Sequence, residues 1–173
     1  MKSKLVEQII CPECHTNFSL KIKKKQKDEI IEGILTCSKK HNFSIIRGIP
    51  RLVSDKQKDF VKTEDAFSSK WRQFNKTYHN KKWVEEQKKW FLERFGWKTI
   101  SKLNSFLKTR STILDAGTGV GNSAKLFSSN SNSQIFAIDA SESIEFAYKK
   151  YGKIQNIHFL QADIRKLPFK KRF

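Results

Sequence analysis

Long apolar runs are missing from this 173-residue chain. No stretch approaches the roughly 20 apolar residues of a membrane-spanning helix. The opening Met1-Lys2-Ser3-Lys4-Leu5-Val6-Glu7-Gln8 carries charge but no apolar core long enough for a signal peptide. Neither a membrane span nor a leader is expected, and the expected compartment is the cytoplasm. Arginine is scarce too, at seven of the 35 basic residues, the other 28 being lysine. Because arginine is the preferred bidentate reader of phosphate and guanine, the net charge of +18 makes a basic surface without specifying a nucleic-acid partner. Residues 1–110 hold 26 basic and 12 acidic residues, hence +14 of that charge. An asymmetry of this size suits nucleic acid or an anionic surface, or reflects only a lysine-rich composition. Cysteine numbers three, so one disulfide at most could form, with a thiol left over.

The cysteine positions favour a metal instead. Cys11-Pro12-Glu13-Cys14 is a C-x2-C knuckle, and Cys37-Ser38-Lys39-Lys40-His41 supplies C-x3-H about two dozen residues later. Structural zinc takes tetrahedral Cys3His sets with two ligands from each of two tight turns. Cys11, Cys14, Cys37 and His41 are therefore the candidate ligands, and a closed set of four leaves no position for a reactive water. Free thiols remain the alternative. Phe18, Leu20, Ile22 and Leu35 fit two small hairpins around the knuckles. His15, adjacent to Cys14, is expected at the surface. Some fifty residues bury too little apolar surface to fold securely alone, so the metal would matter to this module.

The second motif is Ile113-Leu114-Asp115-Ala116-Gly117-Thr118-Gly119-Val120-Gly121-Asn122-Ser123, followed by the apolar run Ile135-Phe136-Ala137-Ile138 ending at Asp139. It describes a strand, a glycine turn that admits a nucleotide close to the backbone, and an acid placed for ribose hydroxyls. A dinucleotide fingerprint needs G-x-G-x-x-G, with the pyrophosphate on the helix N-terminus. Here the spacing is G-x-G-x-G, and Asn122 stands where that pattern wants glycine. Asp115 would repel a pyrophosphate but suits a cofactor carrying an ammonium and a sulfonium. The arrangement favours S-adenosylmethionine over NAD. A plain glycine turn with acids capping helices is the alternative.

These residues resemble the class I S-adenosylmethionine-dependent methyltransferases over roughly residues 111–173. The resemblance implies that Asp115, Gly117, Thr118, Gly119 and Gly121 carry the methionine end of the cofactor. It further implies that Asp139 bonds the ribose, that Ala140 and Ser141 flank the adenine, and that Asp163, with Ile164, meets the adenine amino group. The run Asn42-Phe43-Ser44-Ile45-Ile46-Arg47-Gly48-Ile49-Pro50 resembles the Trm112-like zinc ribbons fused ahead of methyltransferases of the type 11 group. The C-x3-H knuckle instead resembles the ribbon of ribosomal RNA guanine methyltransferases, where it helps hold RNA.

Alternating strands at 112–116, 134–139 and 157–161, with helices at about 121–128 and 141–151, imply a parallel sheet with crossover helices. The expected fold is α/β: the N-terminal part of a Rossmann-like doubly wound sheet, preceded by a small β zinc ribbon and an aromatic-rich helical segment. The expected divisions are a ribbon at 1–53, a linker and helical cap at 54–110, and the N-terminal half of the methyltransferase domain at 111–173. Within the cap, Phe67, Trp71, Phe74 and Tyr78 recur at helical spacing, as do Val84, Gln87, Phe91 and Phe95, with Trp83 and Trp90 alongside. Packing on the sheet or over the cofactor fits this periodicity better than base stacking, although interleaved lysines leave RNA open. About four further strands of such a domain would follow Phe173, with the acceptor-lining residues, so no catalytic base is assigned. The chain alone is expected to bind cofactor poorly and to turn over nothing. A small metabolite or lipid-like acceptor is the leading expectation. Ribosomal or transfer RNA comes second, and a non-catalytic zinc-ribbon module binding RNA or protein third. Nothing in the sequence sets the oligomeric state.

Overall fold

The computed structural model describes residues 1–53 and 80–170. Strands β1 (Phe18–Gln26), β2 (Glu29–Cys37), β3 (Asn42–Ile46) and β4 (Ile49–Leu52) run antiparallel in sequence order. Helices α1 (Lys81–Arg94) and α2 (Ile100–Leu107) lead to β5 (Thr112–Ala116), α3 (Asn122–Asn130), β6 (Gln134–Asp139), α4 (Ser143–Tyr151) and β7 (Ile157–Ala162). The last three strands are parallel, with crossovers through α3 and α4. All seven form one mixed sheet in the order β1-β2-β3-β4-β7-β6-β5. The expected α/β class is therefore present. The four antiparallel strands continue the parallel sheet, because β4 pairs with β7 at Arg51↔Gln161 and Leu52↔Ala162.

β6 and β7 sit inside the sheet and are apolar on both faces, as parallel strands covered on each side are. Ile135 and Ala137 turn toward α1–α4 and pack with Leu92, Leu103, Phe127, Ala147 and Phe159. Phe136, Ile138, Leu160 and Ala162 turn to the other face. There the cover comes from Met1, Leu5 and Ile9 of the N-terminal segment, from Phe43, Ile45 and Leu52, and from Phe169. The 3-10 turn Ser3–Glu7 places Leu5 at 1% exposure in that layer. The first fifty residues thus share a core with the parallel strands.

Helix starts follow capping chemistry. The side chain of Asn80 accepts from Lys82 N (2.9 Å) to open α1, and Thr99 Oγ1 accepts from Lys102 N (3.3 Å) to open α2; each such cap is worth about 1 kcal/mol. α3 runs to Asn130, past the expected end at 128, and α4 starts at Ser143 rather than 141. The delay arises because the Ser141 hydroxyl accepts from Ser143 N (3.3 Å) ahead of the helix.

Ile22 lies on the β1–β2 hairpin opposite Gly33 but is 46% exposed. Register shifts between Ile22, Lys24 and Lys25 break the alternation as the hairpin runs out past the core. β1 is an edge strand, and its exposed Lys21, Lys23, Lys24 and Lys25 guard that edge against pairing. The stripe Phe67, Trp71, Phe74 and Tyr78, and the rest of the expected linker and cap up to residue 79, lie outside the described residues. Of the second stripe, Phe91 packs against Phe127 (ring centroids 5.5 Å apart), whereas Phe95 is 57% and Trp90 58% exposed. No helix among the described residues is long and apolar enough to cross a membrane.

Candidate functional site

β5 and β6 are neighbours in register, so Asp115 and Asp139 reach the same carboxyl-terminal edge of the sheet, where α/β sheets take their ligands. The glycine turn between them is held by backbone bonds. Gly117 N and Thr118 N both donate to Ile138 O at 2.9 Å. Gly119 N donates to Asp139 Oδ2 at 2.8 Å. Gly117, Gly119 and Gly121 all have positive φ, at +79°, +55° and +80°. Two of them serve different purposes. A Cβ on Gly117 would meet nothing within 4 Å, which leaves an open approach to the backbone. A Cβ on Gly121 would lie 3.0 Å from Ala147 Cβ and 3.3 Å from Phe159 Cε1, so this glycine permits close packing of α3 on α4 and β7. Gly121 therefore fills the packing role that the third glycine holds in a dinucleotide turn. Asn122 instead ties helices together, donating to Gln87 Oε1 and accepting from Tyr151 OH, both at 2.9 Å. The bond to Gln87 brings α1 against the start of α3, beside the turn.

The three acids are not equally available. Asp115 Oδ2 accepts from Thr118 Oγ1 and Ser123 Oγ, each at 2.6 Å. Burial pushes this carboxyl up from its ordinary range, opposed by those two hydroxyls. Asp139 Oδ1 accepts from Ser141 N (2.9 Å) and Ser141 Oγ (2.6 Å), which fixes the turn through Ala140. Asp163 is clamped by Arg165, whose Nε lies 3.0 Å from both carboxylate oxygens and whose Nη2 pairs with Oδ2. The Arg165 guanidinium holds the Asp163 carboxyl below the usual range. Ile164 is 59% exposed at the rim. Gln87 falls on the helical stripe with Val84, Phe91 and Phe95, but the spacing gave it no role at the turn; Tyr151, Gln161 and Arg165 were missed, since none of the three sits in a recognisable spacing. A cavity of about 590 Å³ lined by Asn104, Arg110 and Ser128–Ser133 opens at the opposite, amino-terminal end of β5 and β6, away from the glycine turn.

The cysteine cluster forms a second centre. Both knuckles close through a left-handed residue, His15 (φ +56°) and Lys40 (φ +64°). His15 N donates to Cys11 O (2.8 Å) and Lys40 N to Cys37 O (2.9 Å). His15 is exposed, as expected. The ligand atoms of Cys11, Cys14, Cys37 and His41 all lie within 4.8 Å of one another. His41 Nδ1 is 3.5 Å from Cys11 Sγ and 3.4 Å from Cys37 Sγ, and the Cys14 and Cys37 sulfurs are 3.5 Å apart. Bond lengths of about 2.3 Å to sulfur and about 2.0 Å to nitrogen imply tetrahedral edges of roughly 3.5–3.8 Å. The donor set fits a closed four-coordinate ion and holds no disulfide.

Comparison with known proteins points to a class first. Residues 113–173 match the methyltransferase-domain family. Among solved structures, the chain is similar to a SAM-dependent methyltransferase from Aquifex aeolicus at 26% identity, over 40% of this chain and 40% of that one, with a TM-score of 0.35. It is also similar to the YcgJ protein of Bacillus subtilis at 24% identity, over 40% of this chain and 32% of that one, TM-score 0.35. This chain thus spans well under half of either protein's length. No curated protein matches it.

Proposed function

We propose that residues 111–170 hold the S-adenosylmethionine site of a methyltransferase, joined to a structural zinc ribbon. The observation that carries this reading is the turn itself: an open Gly117, with Asp139 bonded to Gly119 N in the match to the methyltransferase-domain family. Asp115 and the turn would take the methionine end, Asp139 the ribose hydroxyls, and Asp163 the adenine amino group. When bound, the cofactor supplies an electrophilic methyl. The chain's own contribution is to orient the cofactor, since catalysis of such transfers rests largely on positioning.

A small metabolite or lipid-like acceptor suits this reading better than RNA. Phe91, Phe95, Trp97 and Phe106 form one ring cluster beside α3, with neighbouring centroids 4.6–5.7 Å apart. These rings lie against one another, and Phe91 also against Phe127, rather than standing apart for base stacking, while Phe95 and Phe106 keep an exposed outer side. Calorimetric titration with S-adenosylhomocysteine tests the proposal, with NAD as the counter-ligand. Weak saturable binding of the former alone is expected; equal binding of NAD, or none of either, overturns it. RNA affinity that falls steeply with salt would instead favour the binding-module reading.

A further inference from the structure

Arg51 of β4, Gln161 of β7 and Asp139 of β6 stand in one row across three parallel strands, paired Arg51↔Gln161 and Asp139↔Gln161. Arg51 Nη1 donates to Gln161 Oε1 at 3.1 Å, and Gln161 Nε2 donates to Ala140 O at 2.9 Å. With a donor on one side and an acceptor on the other, the Gln161 amide has one orientation that satisfies both partners. Ala140 lies between Asp139 and Ser141, in the turn assigned to the adenosine. Arg51 is held in its turn by Glu145 of α4, which also pairs with Arg47 at 2.8 Å. The Arg51 side chain is 15% exposed and that of Arg47 is 73% exposed. Only the Arg51 bond reaches the turn.

We propose that the ribbon is a working part of the cofactor site: Arg51 and Gln161 are positioning residues that fix the Asp139–Ser141 turn. The inference rests on the cofactor reading above. It differs from a general scaffold role, because it assigns the coupling to one bonded relay and predicts a local effect. Losing Gln161 leaves the Ala140 carbonyl and an Arg51 N–H without partners. The peptide at 140 is then free to rotate, and with it the carboxylate that the Ser141 amide and hydroxyl hold in place.

The test uses the full chain with Gln161→Met and Arg51→Met, and with Arg47→Ala as the control that loses a Glu145 bond but leaves the relay intact. Two quantities are read beside the melting temperature: hydrogen exchange of the Ser141 and Gly119 amides, both bonded to Asp139, and the affinity for S-adenosylhomocysteine. Exchange about tenfold faster at those two amides is expected in both relay variants, with binding weaker by about five- to tenfold. Buried strand amides such as Ile138 should be unchanged, and so should Arg47→Ala throughout. Unaltered exchange and affinity in both relay variants overturn the inference while the cofactor reading stands. A uniform rise in exchange across the sheet also overturns it, by showing a merely structural role. No S-adenosylhomocysteine binding by the unaltered chain sinks the cofactor reading and this inference with it.

Discussion

Alanine at Gly121 and alanine at Gly117 make a matched pair of perturbations. Both glycines lie at φ near +80°, so a Cβ at either carries about 1–2 kcal/mol of left-handed strain. Their surroundings are opposite. The Cβ at 117 enters open space, whereas the Cβ at 121 lies 3.0 Å from Ala147 Cβ, 3.2 Å from Tyr151 Cδ2 and 3.3 Å from Phe159 Cε1. Ala147 is fully buried and Phe159 is 3% exposed, so neither has room to retreat. Overpacking of this kind adds about 1–3 kcal/mol. The expected losses are therefore about 2–5 kcal/mol for Gly121→Ala and about 1–2 kcal/mol for Gly117→Ala. Urea unfolding followed by far-UV circular dichroism reads both, provided the slope with denaturant stays constant. Affinity for S-adenosylhomocysteine should order the variants differently, with Gly117→Ala losing more binding than its small stability loss explains. A stability loss at 117 equal to or larger than that at 121 would refute the packing argument and the distinct purposes assigned to the two glycines.

Purified chain should carry about one zinc ion, and stripping it with a chelator should unfold the knuckles around Cys11, Cys14, Cys37 and His41; atomic absorption with circular dichroism checks both, and metal-free protein with unchanged ellipticity would contradict it. His158 is buried between Phe136 and Gln134, with its Nδ1 unpartnered, and burial, aided by Lys2 and the N-terminal ammonium, pushes its pKa down to about 4 from 6.5. A depressed folded-state value means that the unfolded chain binds the proton first, so stability present above pH 6.5 is lost as pH falls toward 4, by up to about 3 kcal/mol. His158→Phe should flatten that part of the stability profile, and an unchanged slope would count against the neutral buried imidazole. Arg165→Met should remove the guanidinium clamp from Asp163 and strengthen S-adenosylhomocysteine binding several-fold, whereas weaker binding would show that the clamp positions Asp163 rather than competing for it.

What was legible in the sequence was local or periodic. The apolar run Ile135-Phe136-Ala137-Ile138 announced β6, and the C-x2-C and C-x3-H spacings brought four ligands together because each knuckle is a closed local turn. The glycine turn was legible for the same reason: Asp115, Gly117 and Gly119 act within a few residues of one another. The β4–β7 pairing left no such trace. Ile49-Pro50-Arg51-Leu52 is only four residues long, and a proline argues against an interior strand because it lacks the N–H for a ladder bond. The structure resolves the conflict by division of labour: Pro50 faces Ile45 of β3, while the ladder to β7 begins one residue later at Arg51. The Asp163 carboxylate likewise could not be ranked from spacing alone, because Arg165 sits in a turn whose side-chain direction no periodicity reports. The Asp163–Arg165 clamp is local, two residues apart, whereas Arg51 meets Gln161 and Glu145 across the fold. The place of residues 1–53 at the start of the chain does not show that they reach the glycine turn; the register of Arg51 beside Gln161, whose amide bonds Ala140 O, does.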